Sequence, residues 1–454
     1  MKERKGLFLF RRDLRIHDNI GFFHALDYCT TLYPIFIFTP EQVSSKNSFR
    51  SENAIQFMME SLHDLKKSLK GIQLNLSFFY GSSESVVKKL IKSLDIDIVL
   101  CNYDYSPYSK KRDNKIKSVC KDHNIMFETC YDYYLFTPYQ ITNGEGKAYM
   151  KFTPYYNKAL TYIKDIPKPI YIKAKQAKQI KSKTIGSYSL KYKTNDSIAF
   201  HGGRKHAMKY MTQLSKFKSY GATRNTLTEN TSHLSAYLKF GCVSVREVFT
   251  CMKEQLGLKS PLLRQLFWRE FYACILFHYP HVLGKSMKLK YDNIKWDNKT
   301  AYFNAWKKGK TGFPLIDAGM RELNETGYMH NRSRLLTASF LVKTLLIDWQ
   351  KGEKYFATKL IDYDPASNNG NWQWIAGSGA DSQPYFRIFN PWKNEFDPKA
   401  SYIKKWIPEL KDVPAKDIYR WNEVCDSYKN IYVKPIVDYK DRRERVLKLY
   451  KDAL

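Results

Sequence analysis

The chain has 454 residues, 43% of them hydrophobic and 26% charged, with 75 Lys+Arg against 44 Asp+Glu and a formal net charge of +31. That length predicts at least two domains, and the composition excludes a wholly disordered chain. No apolar run is long enough to span a bilayer. The opening MKERKGLFLFRRDLR lacks the long apolar region and cleavage site of a secretory signal. The expectation is an intracellular protein of the cytoplasm or the nucleus or nucleoid, not secreted and with no membrane partner.

Short apolar, β-rich runs at residues 6–10, 32–38, 74–80, 96–101 and 125–130 alternate with amphipathic segments such as 53–69 and 85–94. Strand–helix alternation predicts an α/β N-terminal domain with a doubly wound parallel five-stranded sheet over residues 1–130. No GxGxxG follows the first strand, so the dinucleotide fingerprint is absent. Residues 131–200 read as a long basic interdomain linker; residues 151–200 alone hold 11 basic and two acidic side chains. From 201 to 454 the periodicity is helical, with segments at 245–254, 261–277, 314–324 and 332–348, and predicts an all-α domain.

Charge follows this division. Residues 1–150 carry 21 basic and 17 acidic side chains, whereas the remaining 304 carry 54 and 27. An excess confined to one part of the chain points to a polyanion-binding surface. All nine tryptophans lie after residue 267, which suits stacking on bases or on a flat cofactor as well as a Trp-rich core. Eight cysteines are scattered singly, without CxxC or zinc spacing, so reduced thiols and no metal are expected.

Three constellations carry chemistry. Thr231-Ser232-His233-Leu234-Ser235 places hydroxyls before an apolar helix, where they can cap it or hold a phosphate. Trp268-Arg269-Glu270-Phe271-Tyr272 sets charges inside an apolar helix, where they need partners. Asp362-Tyr363-Asp364-Pro365-Ala366-Ser367-Asn368-Asn369-Gly370-Asn371-Trp372-Gln373-Trp374 gathers carboxylates, amides and two tryptophans with no nearby His for a metal triad.

These motifs, with Phe10-Arg11-Arg12-Asp13-Leu14-Arg15 and Asp18-Asn19, Gly327-Tyr328-Met329-His330-Asn331-Arg332, and the run from Asp362 to Tyr385-Phe386-Arg387-Ile388-Phe389-Asn390, resemble the photolyase/cryptochrome family of FAD flavoproteins. The likeness covers residues of about 5 to 410 and is greatest to class I cyclobutane pyrimidine dimer photolyases. It implies an α/β antenna domain, a linker, and an α-helical domain that binds FAD and the DNA lesion. By position, Tyr220, Thr231, Ser232, His233, Leu234, Ser235, Arg269, Asn331, Arg334, Asp362, Tyr363, Asp364 and Asn368 would line the flavin. Asn368 would be the neutral amide facing its reactive edge. Trp372, Trp349 and Trp296 would relay electrons from the surface. Arg224, Gln265, Trp268, Asn331, Arg332, Trp374 and Arg387 would contact UV-damaged DNA.

The implied activity is that of a lyase: light-driven repair of pyrimidine dimers by electron transfer from excited reduced FAD to a flipped-out lesion. The expected protein is a monomer with no obligate protein partner. Two features leave alternatives. Gln265 stands where class I relatives usually carry Glu, which keeps a (6-4) photolyase open, although Asn331 replaces the second His of that group. A cryptochrome without repair activity is the other alternative; an end at Leu454 without a long tail, and Asn368, favour repair. A DNA-binding module without flavin would leave the 362–374 cluster unexplained. Folate-binding relatives carry Asn-Glu before an Arg-Asp, but Lys110-Lys111 precedes Arg112-Asp113 here. The second chromophore is then a deazaflavin, a second flavin, or absent.

Overall fold

The computed structural model describes residues 3–172, 180–428 and 431–453; part of the predicted basic connector, residues 173–179, lies outside them. The chain divides into two compact units that interleave along the sequence. The first comprises Met1–Thr194, Phe200–Lys218 and Ser232–Pro280, and the second Asn195–Ala199, Ser219–Thr231 and His281–Leu454.

In the first unit, β1 (Lys5–Phe10), β2 (Thr31–Phe38), β3 (Ser77–Tyr80), β4 (Ile98–Asn102) and β5 (Met126–Cys130) form one sheet of order β3-β2-β1-β4-β5. Every neighbouring pair is parallel. The predicted doubly wound sheet is therefore the observed one. The unbroken apolar runs of β1, β2 and β4 suit strands covered on both faces. The flanking helices start where a side chain can take the first free N–H groups: Asn19 caps Ile20–Tyr28, Ser51 caps Glu52–Gly71, Ser82 caps Ser83–Leu94 and Ser106 caps Pro107–Asp122. Strand order reverses between β1 and β4, so the crevice beyond their carboxyl ends is where such a sheet offers a ligand site.

The connector is more structured than its composition suggests. It contains a helix, Phe152–Thr161, and an extended stretch that bridges Lys181 to Thr31 and Ser187 to Phe78. That stretch covers the edge strand β3, with Tyr188 N donating to Phe78 O at 3.0 Å.

A buried ionic network ties the first strand's exit to the helix Val245–Leu256. Arg15 Nη2 lies 2.6 Å from Asp132 Oδ2, Arg246 Nη2 lies 2.7 Å from Asp132 Oδ1, and Arg246 Nε lies 2.9 Å from Asp18 Oδ2. Ser244 donates its hydroxyl to Asp18 and caps the same helix in a capping box with Glu247. Burial pushes the Asp132 carboxyl up, but Arg15 and Arg246 more than offset this and hold it below its usual value.

The second unit is helical. Pro314–Thr326, Asn331–Lys343, Trp349–Ala357 and Pro365–Ala376 enclose a core that includes Trp306, Trp349, Trp372 and Trp421. The final helix, Tyr439–Ala453, buries Val446 and Tyr450 against Ile294 and Leu346. The helix expected over 332–348 stops at Lys343. Thr344 N and Leu345 N both turn onto Phe340 O, and Leu346 takes a positive φ of 54°. The apolar run 345–347 continued the helical pattern because all three residues are fully buried, although by a turn. Among the described residues, no helix is long and apolar enough to cross a membrane.

Candidate functional site

The sequence-predicted residues fall in both units, and each set has its own geometry. In the first unit, Ser232, His233, Leu234 and Ser235 lead into the helix Ser235–Phe240, whose N-cap is Leu234, with no side-chain cap bond. The hydroxyls therefore do not serve as its cap. His233 adopts a positive φ of 51° and packs against Phe200 at 4.8 Å between ring centroids. Burial lowers its pKa to about 4, so the imidazole is neutral.

The same segment is fixed to the first strand's exit. Leu14 N donates to Phe240 O at 3.0 Å. Gly241, with φ of +66°, lies so close to Arg12 and Asp13 that a Cβ would sit 2.3 Å from Arg12 O. Only glycine fits this approach.

The helix Arg264–His278 carries Gln265, Trp268 and Arg269. Gln265 turns its amide N–H onto Pro261 O at 3.0 Å, which leaves Oε1 as the acceptor it can offer. Trp268 is stacked on Phe152 at 3.7 Å and 4° between ring planes. Arg269 pairs with Glu270 at 3.2 Å and lies over the Tyr134 ring. Burial raises the Glu270 carboxyl to about 7, against Arg269 and the N–H groups of Phe136 and Leu135.

In the second unit, the helices Asn331–Lys343 and Pro365–Ala376 organise the remainder. Arg334 grips both oxygens of Asp362, at 3.1 and 3.0 Å, and donates Nε to Met329 O. Asp364 caps Pro365–Ala376 by accepting from Ser367 N at 3.0 Å. One turn on, Asn368 donates Nδ2 to Glu353 O and Oε1, both at 3.1 Å. Its carbonyl oxygen is thereby the group turned away from Glu353. Tyr363 and Tyr220 have pKa values raised by burial. Thr231 shares a hydrogen bond with Tyr328, whose phenol burial raises to about 12.

Trp372 and Trp349 share one core cluster, and Trp296 packs against it, as does Trp374. Gly352 lets the Trp349–Ala357 helix cross the Trp372 indole, since a Cβ would fall 2.2 Å from Cη2. Arg332 donates Nη2 to Asn225, lies 4.8 Å over Phe396, and has a buried Nε with no acceptor. Its pKa is lowered by burial and by the nearby charge of Arg224. Asn331 is exposed at the start of its helix, and Arg387 is exposed beside Gln383.

Sequence reasoning missed Glu353, Lys343 and Phe152. Lys343 is buried, with its pKa lowered to about 7 by burial, and donates to Arg387 O at 2.8 Å, anchoring that exposed loop. No local signal marks these residues, because their burial is made by chain that is distant in sequence.

In the second unit the donor set fits a flavin nucleotide: the clamped carboxylate of Asp362 suits ribose or a ring edge, and the neutral Asn368 amide oriented by Glu353 suits the flavin ring. In the first unit, Arg11 and Arg112 share the single carboxylate of Asp113, at 2.8 and 2.9 Å, just beyond the ends of β1 and β4. One terminal nitrogen of each, and the Tyr133 hydroxyl, are buried without acceptors. Arg12 pairs with Asp104 at 3.7 Å, and Asp13 accepts from Arg11 N at 2.7 Å, so what this crevice offers is unused donors rather than an excess of positive charge.

Residues 6–171 match the family model described as DNA photolyase, and residues 262–452 match the FAD binding domain of DNA photolyase. The chain is 36% identical to the deoxyribodipyrimidine photo-lyase of Buchnera aphidicola subsp. Acyrthosiphon pisum, covering 99% of this chain and 97% of that protein. It is 34% identical to the Escherichia coli K12 protein of the same name, over 98% of each. Among solved structures it resembles an archaeal photolyase from Sulfolobus tokodaii with two FAD molecules, at TM-score 0.87 and 39% identity, covering 99% and 100% of the two chains. A Synechocystis cryptochrome superposes at TM-score 0.88 and 26% identity, covering 99% of this chain and 100% of that one. The chain belongs to the photolyase/cryptochrome family, as a DNA photolyase whose cofactor is FAD.

Glu353 gives a stability prediction. Its carboxyl is raised to about 7 by burial, so the folded state holds a proton that the unfolded state has released above its ordinary pKa of 4.5. Stability from this group is full below about 4.5, falls as pH rises to about 7, and is flat beyond. Glu353→Gln keeps an acceptor for Asn368 without the charge. It should raise stability at pH 8 by up to about 3 kcal/mol and change little at pH 4.5, as read by thermal unfolding at the two pH values.

Proposed function

We propose that this chain repairs the cyclobutane pyrimidine dimer in UV-damaged DNA. The observation that carries the choice of lesion is at His330. Its Nδ1 accepts from Arg332 N at 3.1 Å and caps the helix, and the next residue is Asn331. The (6-4) reaction needs a proton donor, and the second histidine that would accompany His330 in that group is absent here. The names of the Buchnera and Escherichia coli relatives point to the same substrate class. Gln265, with Oε1 available, can accept from a pyrimidine N–H without bringing a charge to the lesion.

FAD, when bound in its reduced form and excited by light, would supply the electron that opens the dimer and would take it back after the ring has split, so no net oxidation occurs. The chain's residues do the rest. Arg224, Arg332, Asn331 and Arg387 take backbone phosphates and set register; Trp268 and Trp374 offer faces for the unstacked pyrimidines. Tyr220, Thr231, Ser232, His233, Leu234, Ser235, Arg269, Arg334, Asp362, Tyr363, Asp364 and Asn368 hold the flavin. Trp296, Trp349 and Trp372 carry electrons inward when the flavin is oxidised. The division into an antenna domain to residue 130, a linker to 200 and a flavin and DNA domain beyond is the functional reading of the chain.

Reduced holoenzyme illuminated with oligonucleotides bearing one lesion or the other should restore the cyclobutane dimer only. Restoration of the (6-4) product alone overturns the assignment, and restoration of neither with flavin bound makes the protein a cryptochrome. Trp372→Phe should abolish light-driven reduction of oxidised flavin, followed by absorbance, while enzyme reduced chemically beforehand still repairs. Unchanged photoreduction removes Trp372 from the relay.

The unused donors of Arg11, Arg112 and Tyr133 support a second chromophore that carries hydrogen-bond acceptors, and we assign it as a flavin. Chromophore released from the purified protein should then contain two flavins per chain; one flavin and a folate or deazaflavin, or one flavin alone, rejects the assignment.

A further inference from the structure

The helix Arg264–His278 begins with a cation that has no counter-charge. Arg264 lies with its guanidinium carbon 5.1 Å from the Phe152 ring centroid and 4.8 Å from that of Tyr156. Its Nε is buried without an acceptor. Among the described residues no carboxylate pairs with it, and the first turn of its helix holds no acidic residue. A cation at the start of a helix works against the macrodipole, so its presence there does not serve helix stability.

Its neighbours are those assigned to the lesion. Gln265 follows it directly. Trp268 is one turn further on the same helix face, and stacks on the same Phe152 ring that Arg264 covers. Phe152 is 1% exposed and stacks also with Tyr156, at 5.7 Å and 17°. Phe152 therefore holds two groups in fixed relation: the Trp268 indole and the Arg264 guanidinium. A guanidinium packed on aromatic rings is poorly hydrated and pre-ordered, and its unused N–H groups suit a phosphate.

We propose that Arg264 contacts a DNA backbone phosphate beside the lesion, with Phe152 as the residue that positions it and Trp268 together. The inference rests on the reading of this helix as facing the lesion. It also gives Gln265 a context, since the position that carries an acid in class I relatives is here uncharged and preceded by a cation.

The test is equilibrium binding of FAD-loaded protein to damaged and undamaged duplexes, in the dark, across a salt series. Arg264→Met keeps the stem packed over the rings and removes the charge. It should lower the log–log salt slope by about 0.9 and weaken binding to both duplexes equally, about eightfold at 0.1 M salt. Arg264→Lys should keep the slope. Phe152→Leu should lower both the slope and the preference for damaged DNA, while Phe152→Tyr restores both. Flavin content and thermal unfolding confirm the fold of each variant. An unchanged slope in Arg264→Met overturns the proposal, as does a loss confined to damaged DNA. Trp268→Ala separates the two readings. If it abolishes lesion preference while Arg264→Met does nothing, only the phosphate contact fails. If lesion preference survives Trp268→Ala, the lesion-facing reading of the helix fails and the proposal with it.

Discussion

The buried network of Arg15, Asp18, Asp132 and Arg246 is the interaction on which the first unit depends. Two guanidiniums and two carboxylates are taken almost wholly out of water, with side-chain exposures between 0% and 4%. Desolvating four charges is costly, and only close, hydrogen-bonded pairing offsets it. The pairing can be met only when the exit of β1, the end of β5 and the helix Val245–Leu256 are all in place. Removing any one member would leave an opposite charge stranded. The Phe10–Asn19 signature is thus structural at Arg15 and Asp18, and its cost fixes where the segment 232–240 must lie through the Leu14 and Gly241 contacts.

In the second unit the corresponding fixed points are smaller. Arg334 holds Asp362, Asp364 caps the helix that presents Asn368, and Glu353 holds the Asn368 amide. Asp362, Asp364 and Asn368 are therefore each oriented by a hydrogen-bond partner within this unit, and that of Asn368 is buried. Such pre-orientation matters for a redox cofactor, because an amide free to rotate would present donor and acceptor alternately. The raised carboxyl of Glu353 keeps the negative charge near Asn368 only partly developed around neutrality.

Much of this was legible in the sequence. The five strands sit within a few residues of the apolar runs; the central ones, β1, β2 and β4, are covered on both faces and so read as continuous apolar sequence, whereas β3 and β5 at the edges are partly exposed. The helices with regular apolar spacing were found where expected. The helix Phe152–Thr161 was not, since Pro154 and the surrounding lysines read as a loop. Pro154 stands in the first turn, where its missing N–H has no helical partner to lose. The end of the helix at Lys343 was hidden by the buried run that follows. Of the site, the motif residues Trp268, Asp362 and Asn368 were visible as unusual polar and aromatic density. Phe152, Glu353 and Lys343 were not, because what makes each important is a contact far away in the chain.

The balance of charge within each buried cluster separates arginines that build the fold from those that serve a ligand. Arg15 and Arg246 face two carboxylates, Arg204 faces Glu247, and Arg334 faces Asp362. Each of these clusters is internally neutral and draws no net charge, although Arg334 and Asp362 still offer hydrogen-bonding edges to the flavin proposed there. Arg11 and Arg112 share Asp113 and each keep an unused terminal nitrogen, Arg332 bonds the neutral Asn225 with Arg224 and Glu395 both near, and Arg264 has only aromatic rings. A partly buried guanidinium without its counter-ion raises the energy of the free protein, so an anion that reaches it gains more than it would at a solvated lysine. On the proposed reading, the abundant surface lysines would supply a diffuse, salt-sensitive attraction to DNA, and the few arginines held by aromatic or amide neighbours would convert it into a defined register.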